Sequence, residues 1–468
     1  MKKLRWAMDS GFWDLDMSTP MTIDGIARPV PGNPLPLGLS RGIKLSRPKQ
    51  LDFMHRFMST PLVPSYAGDP ARGGDGFTLQ RAFTFPFGEN WFATLLGQFH
   101  LQKLISSVKE STPGNPPESS WLKNIGQHLC DKSLYALGFC SEFLILPDLS
   151  ILLNSEAYAD KKGRRNKAIV LQKLPHHNLT MEATWPGLFV DDLGKYWDVP
   201  LSMAIDLAPV ASDSGSSYHL CIQHNSGHPK QFGGDQTSGV PPNLLPGFCV
   251  KAAYSVKKDA DIWRSKERKL KMVQPFDVFL SDPHVSASVI MGSVVSASFG
   301  DNSVRPPTED LQGFRALRIL AQGSKHAFLA DLFASVSCTA HHGYFQRLFF
   351  DLTRLNARLD FPSGLKFLTG ATHLAQSFYH SQKPDSEAVH AICPDVTLSL
   401  QQQIVGAFSF RVDSRITFDS KIQNRFARID ESVFAIEYAL KVLGSAKAVA
   451  WYSTKQREAM VELRFFES

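Results

Sequence analysis

Long apolar runs and the common cofactor motifs are both absent from this sequence. No stretch of 18 consecutive apolar residues occurs, which argues against a transmembrane helix. Neither a GxGxxG dinucleotide fingerprint nor a GxxxxGK(S/T) phosphate loop is present. We therefore expect neither a polytopic helical membrane protein nor a nucleotide-dependent enzyme, and we expect no cofactor and no metal.

Cysteine and charge are also scarce. The six cysteines form no CxxC pair, and a chain of 468 residues does not need disulfides, so we expect reduced thiols. Charged residues make up 20% and apolar residues 43%, which excludes wholesale disorder. The net charge of +6 permits nucleic acid or anionic lipid as a partner. Nucleic acid is disfavoured, because no aromatic RNA-binding motif accompanies this modest surplus.

The first residues do not predict a signal peptide. They lack an apolar core, and Asp9, Asp14 and Asp16 argue against an acid-poor transit peptide. We therefore expect any membrane association to come from a β-barrel or from a surface contact.

Residues 1–130 read as a basic, Pro/Gly-rich segment with short helices. Strings such as RPVPGNPLPLGLSRG interrupt regular structure. An apolar 3–4 spacing predicts a helix from Trp91 to Val108, with Asn90 as its N-cap. Ser120 is predicted to cap a second short helix that includes Ile125 and Leu129.

From about residue 131 the apolar period changes from 3.6 to 2. In FFDLTRLNARLDF, for example, Leu355 and Leu359 alternate with Arg354 and Arg358. Segments of about ten residues with one apolar and one polar face are the signature of a membrane barrel. We therefore predict a mainly β fold, an antiparallel transmembrane-type β-barrel of about 14–18 strands over residues 131–468. A soluble antiparallel sandwich would alternate as well and stays open.

The end of the chain fits the same prediction. Val461, Leu463 and Phe465 form one face of a final amphipathic segment. A closed barrel has no free sheet edge, so we expect this last strand to meet an early one.

Two candidate chemical sites have weak support. GLSRG at 38–42 matches the hydrolase pattern GxSxG with Ser40 as nucleophile, but NPLPL does not supply the strand that should precede it. His219, His224 and His228 have spacings of five and four, yet a strand followed by a turn need not bring them together as metal ligands.

Basic clusters near the start of the chain indicate a binding site more strongly than these two motifs do. Residues 1–60 hold nine Lys/Arg against five Asp/Glu. Seven of the nine lie in KKLRW and RGIKLSRPK, and these are Lys2, Lys3, Arg5, Arg41, Lys44, Arg47 and Lys49. Such groups suit the oxygens of a lipid phosphate, although a solvated basic arm is the alternative. The basic runs at 161–167 and 257–271 predict exposed loops.

Several long strings resemble the family of plant trigalactosyldiacylglycerol protein four. They include WDLDMSTP (13–20), LPLGLSRG (35–42), LSRPKQ (45–50), DKSLYALGFCSEFL (131–144), FDLTRLNARLDFPSGLKFLTGAT (350–372) and the segment 434–468. The resemblance implies a barrel of the chloroplast outer envelope that transfers lipid precursors from the endoplasmic reticulum to the plastid. It also implies phosphatidic acid binding, a homodimer and an inner-envelope lipid permease as partner.

Within that family the affinity for phosphatidic acid belongs to N-terminal portions. The matching strings contain Arg41, Arg47, Lys49 and Lys132, and Lys44 lies between two of them. Lys2, Lys3 and Arg5 join this set on charge alone.

A solute or anion channel remains the alternative within the same fold. A water-filled lumen lined by Arg354, Arg358 and Arg411 would conduct small anions. An acyl hydrolase that uses Ser40 is the other alternative.

Overall fold

The structure is a computed structural model. It describes residues 27–29, 62–67, 76–110, 125–158, 164–191, 195–209, 215–231, 240–262, 283–299, 317–320, 326–344, 351–380, 386–405, 407–418, 427–440, 446–455 and 457–465.

Strands dominate the described residues. They are β1 (Arg28–Pro29), β2 (Val63–Ala67), β3 (Phe77–Pro86), β4 (Trp91–His100), β5 (Tyr135–Leu146), β6 (Leu149–Tyr158), β7 (Arg164–Lys173), β8 (His177–Trp185), β9 (Gly187–Val190), β10 (Tyr196–Val199), β11 (Leu201–Pro209), β12 (Ser216–Ser226), β13 (Lys230–Gln231), β14 (Gly247–Asp261), β15 (His284–Phe299), β16 (Leu317–Leu320), β17 (His326–Tyr344), β18 (Asp351–Phe361), β19 (Asp395–Val405), β20 (Phe408–Phe418), β21 (Ala427–Leu440), β22 (Ala446–Ser453) and β23 (Glu458–Phe465).

Within the described residues, 18 of these strands form one closed antiparallel barrel. Each wall strand pairs with its neighbours along the chain, and β23 pairs back with β2. The wall contains β2–β8, β11, β12, β14, β15 and β17–β23, while β16 adds a short ladder to β17. The predicted fold class, the strand count and the meeting of the last strand with an early one are confirmed, and the sandwich alternative is wrong.

The start of the barrel differs from the sequence prediction. The wall includes β2, β3 and β4, so it begins at Val63 instead of at residue 131. The predicted helix over Trp91–Val108 is wrong in its first half, which is strand β4. Only the second half is helical. The 3–4 spacing misled because β4 has apolar residues on both faces, with Leu96 buried inside the wall.

Three helices are described from end to end, namely α1 (Leu101–Glu110), α2 (Gly364–Tyr379) and α3 (Ser386–Ile392). Residues 125–129 are helical as predicted, and Ser120 lies outside the described residues. Short 3₁₀ turns cover Lys132–Leu134 and Pro242–Leu244. None of the helices that the structure describes has both the length and the hydropathy to cross a bilayer.

The two ends of the barrel differ in their connections. We call the end that carries α1, α2 and α3 the helix rim. The opposite end, the turn rim, has tight connections at 87–90, 147–148 and 174–176. The turn rim also carries the long connection between β14 and β15, so the two ends are distinguished by the helices and not by loop length alone.

Side chains alternate between an apolar outside and a polar inside. Leu355 and Leu359 on β18 are exposed on the outer face, at 52% and 39%, whereas Arg354 and Arg358 are buried on the inner face. The same alternation holds on β20, where Phe408 points outward and Arg411 inward. A water-soluble protein would bury the leucines and expose the arginines. The apolar outer surface is therefore suited to the hydrocarbon core of a membrane.

Aromatic residues mark both rims above β4 and β5. At the turn rim, Trp91 stacks between Phe87 (4.4 Å between ring centroids) and Phe143 (5.3 Å). At the helix rim, Phe99 packs against Tyr135 at 5.5 Å. Aromatic girdles of this kind lie at the two water interfaces of membrane barrels.

Four short strands form a second sheet inside the helix rim, in the order β1–β9–β10–β13. We call it the inner sheet. The sequence predicts one alternating strand across residues 198–208, but the chain breaks at Pro200. β10 before the break belongs to the inner sheet, and β11 after it belongs to the wall, because proline interrupts a ladder.

Candidate functional site

An ionic strip runs along the inner wall on β18–β21. Arg411 Nη1 lies 2.7 Å from Glu437 Oε1, and Arg411 Nε lies 3.2 Å from Asp413 Oδ2. Gln401 donates a hydrogen bond to Glu437 Oε2 at 3.1 Å. Burial of these charges costs free energy that only close pairing offsets, and the Arg411 guanidinium lies against two carboxylates.

Arg358 belongs to the same strip. Its Nε donates to Asp360 Oδ1 and to Ser335 Oγ, both at 2.8 Å. Arg358 and Asp360 are both buried. The alternative of an anion channel relied on Arg354, Arg358 and Arg411. The structure places all three on the inner wall, but at least Arg358 and Arg411 are neutralised by acidic partners.

A second set of polar contacts, which includes one Lys–Glu ion pair, lines the opposite wall. Lys167 on β7 lies 2.7 Å from Glu182 on β8, and His219 on β12 lies 2.7 Å from Asp206 on β11. Lys167 and His219 therefore point inward. The predicted loop at 161–167 is strand from Arg164 onward, and the predicted loop at 257–271 is strand up to Asp261.

Two apolar patches interrupt this polar inner wall. The first lies on β14, β15 and β17, and the second, which we call the seam patch, lies on β21–β23. The first consists of Cys249, Ala253, Ile290, Val294 and Phe333. The seam patch consists of Val433, Ala435, Val449, Trp451 and Met460. All ten residues lie on the inward face by the alternation of their strands, which is unusual for a lumen that holds only water.

The inner sheet fastens a residue of the N-terminal segment inside the barrel. Ala27 donates its N–H to Asn243 Oδ1 at 3.0 Å and accepts from Asn243 Nδ2 at 2.6 Å. Asn225 on β12 donates to the Asn243 carbonyl at 2.7 Å. Ala27 also packs with Phe189 and Trp197 in one buried cluster. The segment that carries the basic strings is therefore attached to the barrel wall at this point.

Most of the predicted phosphate ligands lie outside the described residues. These are Lys2, Lys3, Arg5, Arg41, Lys44, Arg47 and Lys49, and Ser40 lies outside as well. Lys132 is described, and it is exposed on the 3₁₀ turn at the helix rim. Its neighbour Asp131 accepts hydrogen bonds from the Ser133 N–H and hydroxyl, which hold the pKa of the Asp131 carboxyl below its usual value.

The three histidines of the weak metal motif do not converge. His219 faces inward and pairs with Asp206, whereas His224 packs against Phe248 on the outer face at 4.6 Å. His228 lies in the turn after β12. Among the described residues no group of three or more His, Cys, Asp or Glu could hold a metal ion.

Sequence reasoning missed the seam patch. A signal for it exists in AKAVAWYS, where Val449 and Trp451 share one face while Ala450 and Tyr452 share the other. A strand that is apolar on both faces breaks the in–out rule of a water-filled barrel.

Comparison with known proteins gives one relative of similar length. A protein of Arabidopsis thaliana described as "Protein TRIGALACTOSYLDIACYLGLYCEROL 4, chloroplastic" is 53% identical over 481 residues, which cover 100% of both chains. The chain matches no protein-family model.

Solved structures with some likeness are bacterial proteins. OccK8 (OprE) of Pseudomonas aeruginosa gives a TM-score of 0.38 at 8% identity, and a BenF-like porin of Pseudomonas fluorescens Pf-5 gives 0.33 at 8%. Each comparison covers 86% of this chain and 94% of the other.

Proposed function

Since this chain belongs to the family of the Arabidopsis trigalactosyldiacylglycerol 4 protein, we propose that it is a non-enzymatic lipid-transfer barrel of the chloroplast. In this proposal it binds phosphatidic acid and moves glycerolipid precursors from the endoplasmic reticulum to the plastid. The observation that carries the proposal is the mixed inner wall, which has apolar patches beside paired charges.

An inner wall with both apolar patches and charged residues suits a lipid, because a lipid combines apolar acyl chains with a polar headgroup. Each CH₂ group that leaves hydrocarbon for water costs about 0.8 kcal/mol, so acyl chains need apolar surface along their path. The seam patch offers such surface, with Trp451 and Met460 among its members. The ionic strip next to it offers polar partners for a headgroup.

The location follows from the same relative and from the outer surface. The relative's name specifies the chloroplast, and the exposed apolar band fits a membrane. We propose the outer envelope at contacts with the endoplasmic reticulum, a homodimer, and an inner-envelope lipid permease as the partner that receives the lipid. Fractionation of plastid envelopes, with chemical crosslinking of the intact membrane, tests these three statements.

The headgroup ligands in this proposal are the N-terminal basic residues. Charge reversal of Arg41, Lys44, Arg47 and Lys49 to Glu should abolish flotation with phosphatidic acid liposomes, because each residue can donate a charge-assisted bond to phosphate. Weak binding to phosphatidylcholine liposomes should not change.

The chain offers a matched control. Reversal of Lys266, Arg268, Lys269 and Lys271 changes the net charge by the same amount outside the N-terminal strings. That variant should still float. Equal loss of binding in both variants would reduce the assignment to a general charge effect, and unchanged binding in the first would remove it.

Transfer itself is measured between donor and acceptor vesicles. Reconstituted protein should speed the passage of labelled phosphatidic acid relative to protein-free vesicles. If the full chain shows no acceleration, the proposed function is wrong.

A channel is the second candidate, because the polar inner wall includes Arg354, Arg358 and Arg411. Single-channel current in planar bilayers without lipid transfer would favour it. Ester hydrolysis that disappears in Ser40→Ala would favour the acyl hydrolase, and we expect no such hydrolysis.

A further inference from the structure

The barrel is closed by its weakest ladder. Within the described residues, β2 and β23 share only the pairs Ser65–Met460, Tyr66–Ala459 and Ala67–Glu458. On its other side β2 shares four pairs with β3. By contrast, β15 and β17 share sixteen pairs, and β22 and β23 share eight. The five-residue strand β2 is therefore the least firmly held part of the wall.

The sequence contains a physical reason for this short ladder. Continued in register, Pro64 would lie opposite Val461 and Val63 opposite Glu462, but neither pair forms. Proline has no N–H to donate, and inside sheets it is confined to edges and strand ends. Pro64 thus ends the β2–β23 ladder where a longer strand would continue it.

At the β2–β23 ladder, which we call the seam, the inner wall changes from apolar to polar side chains. On the β23 side lies the seam patch, in which Met460 is directly opposite Trp451. On the β2 side lies a buried hydrogen-bonded row, in which Ser65 Oγ and Thr78 Oγ1 are 2.6 Å apart and Gln98 donates to Thr78 Oγ1 at 2.9 Å. An apolar wall therefore meets a polar wall along one line.

We infer that the β2–β23 seam is the lateral passage through which a glycerolipid moves between the lumen and the bilayer. The acyl chains pass along the seam patch, and the headgroup passes along the row of Ser65, Thr78 and Gln98. Outside the seam the chains reach the apolar outer surface without crossing water. This inference rests on the proposed transfer function and names its path.

A disulfide across the seam tests the passage. The six native cysteines, which form no disulfide, are first replaced by serine. One variant then carries Ser65→Cys with Met460→Cys, and a second carries Tyr66→Cys with Ala459→Cys. Adjacent antiparallel pairs alternate between wider and closer Cα spacing, and both spacings lie within the range that a disulfide tolerates.

We expect the oxidised seam variants to lose transfer of labelled phosphatidic acid and to recover it on reduction. Both forms should still float with phosphatidic acid liposomes. The matched control carries Ser286→Cys with Thr339→Cys, a directly opposite inward pair of the sixteen-pair ladder. Oxidation of this control should leave transfer unchanged.

The outcomes separate this inference from the proposed function. Undiminished transfer by a seam-locked barrel overturns the passage and leaves the function standing. If the native chain fails to transfer as well, the proposed function falls and the passage falls with it.

A second variant needs no crosslink. Pro64→Ala restores a backbone donor, so the ladder can extend and transfer should slow by about twofold or more, since each cross-strand pair adds stability. If the cysteine variants do not fold, as judged by heat-dependent migration on gels, the Pro64→Ala variant tests the passage in their place. Equal or faster transfer by Pro64→Ala overturns the inference.

Discussion

Gly292 illustrates how tightly single residues pack on the inner wall. An added Cβ there would lie 2.2 Å from Cζ of Phe333 and 2.5 Å from the carbonyl oxygen of Ala252. The ring could move, but the backbone of the neighbouring strand could not do so without disturbing the ladder. The absence of a side chain at this position therefore leaves the space that the ring of Phe333 occupies.

We predict that Gly292→Ala lowers the free energy of unfolding by about 1–3 kcal/mol, the usual cost of overpacking. The measurement is a urea midpoint in detergent micelles. Gly97→Ala is the control, because the nearest atom to its added Cβ would be the Arg81 carbonyl oxygen at 3.9 Å. A loss of the same size at Gly97 would contradict the packing argument.

Neighbouring strands are held to each other by buried ion pairs as well as by their ladders. Arg411 on β20 and Glu437 on β21 join two elements at 2.7 Å, and both side chains are almost fully buried. Asp430 and Lys455 are equally close at 2.6 Å, but they lie near the helix rim and are 24% and 29% exposed. The two pairs therefore have similar distances and differ in how deeply they are buried.

A double-mutant cycle with alanine should show strong coupling between Arg411 and Glu437. Removal of one partner of a buried pair costs about 3–5 kcal/mol, because the other charge is left buried. The same cycle on Asp430 and Lys455 should give at most about 1 kcal/mol. Equal coupling energies from urea titrations of the two cycles would show that the inner wall is as well solvated as the rim.

The whole molecule is organised as the inverse of a soluble protein. Apolar side chains cover the outer face of the wall, and buried charged residues such as Arg358, Arg411 and Glu437 lie inside. The depth of an outer position should therefore decide what a charge costs there.

Leu355→Lys, near the middle of β18, should destabilise the barrel by about 2–4 kcal/mol in lipid. Ile429→Lys, close to the helix rim, should cost only about 0–1 kcal/mol. Both side chains are strongly exposed, at 52% and 63%. Folding titrations in vesicles measure the difference, and similar costs at both positions would contradict a membrane around this surface.

The sequence predicts the wall wherever the two faces of a strand differ. On β18 and β20 the polar residues alternate strictly with apolar ones, so the period of two is visible and the orientation follows. On β4 and β22 both faces contain apolar residues, and the period disappears. Apolar residues on both faces explain both errors: the helix wrongly predicted over Trp91–Val108, and the seam patch that was not predicted.

The inner sheet could not be predicted for a different reason. It depends on contacts such as that between Ala27 and Asn243, which are 216 residues apart. Strands of two to four residues leave too short a pattern to recognise, and no local rule brings such distant segments together. The predicted phosphate ligands other than Lys132 lie outside the described residues and stay predictions.

An even number of antiparallel wall strands has a consequence for any reporter attached to the protein. The last wall strand ends at Phe465, and its pairing with Ala446 at the start of β22 places it at the turn rim, whereas Val63 lies in mid-wall opposite Gln80. A fluorescent tag joined after Phe465 and an epitope placed in the turn at 87–90 therefore face one compartment. An epitope at His380, directly after α2, faces the other, so the two aqueous sides of the membrane can be told apart without disturbing the wall.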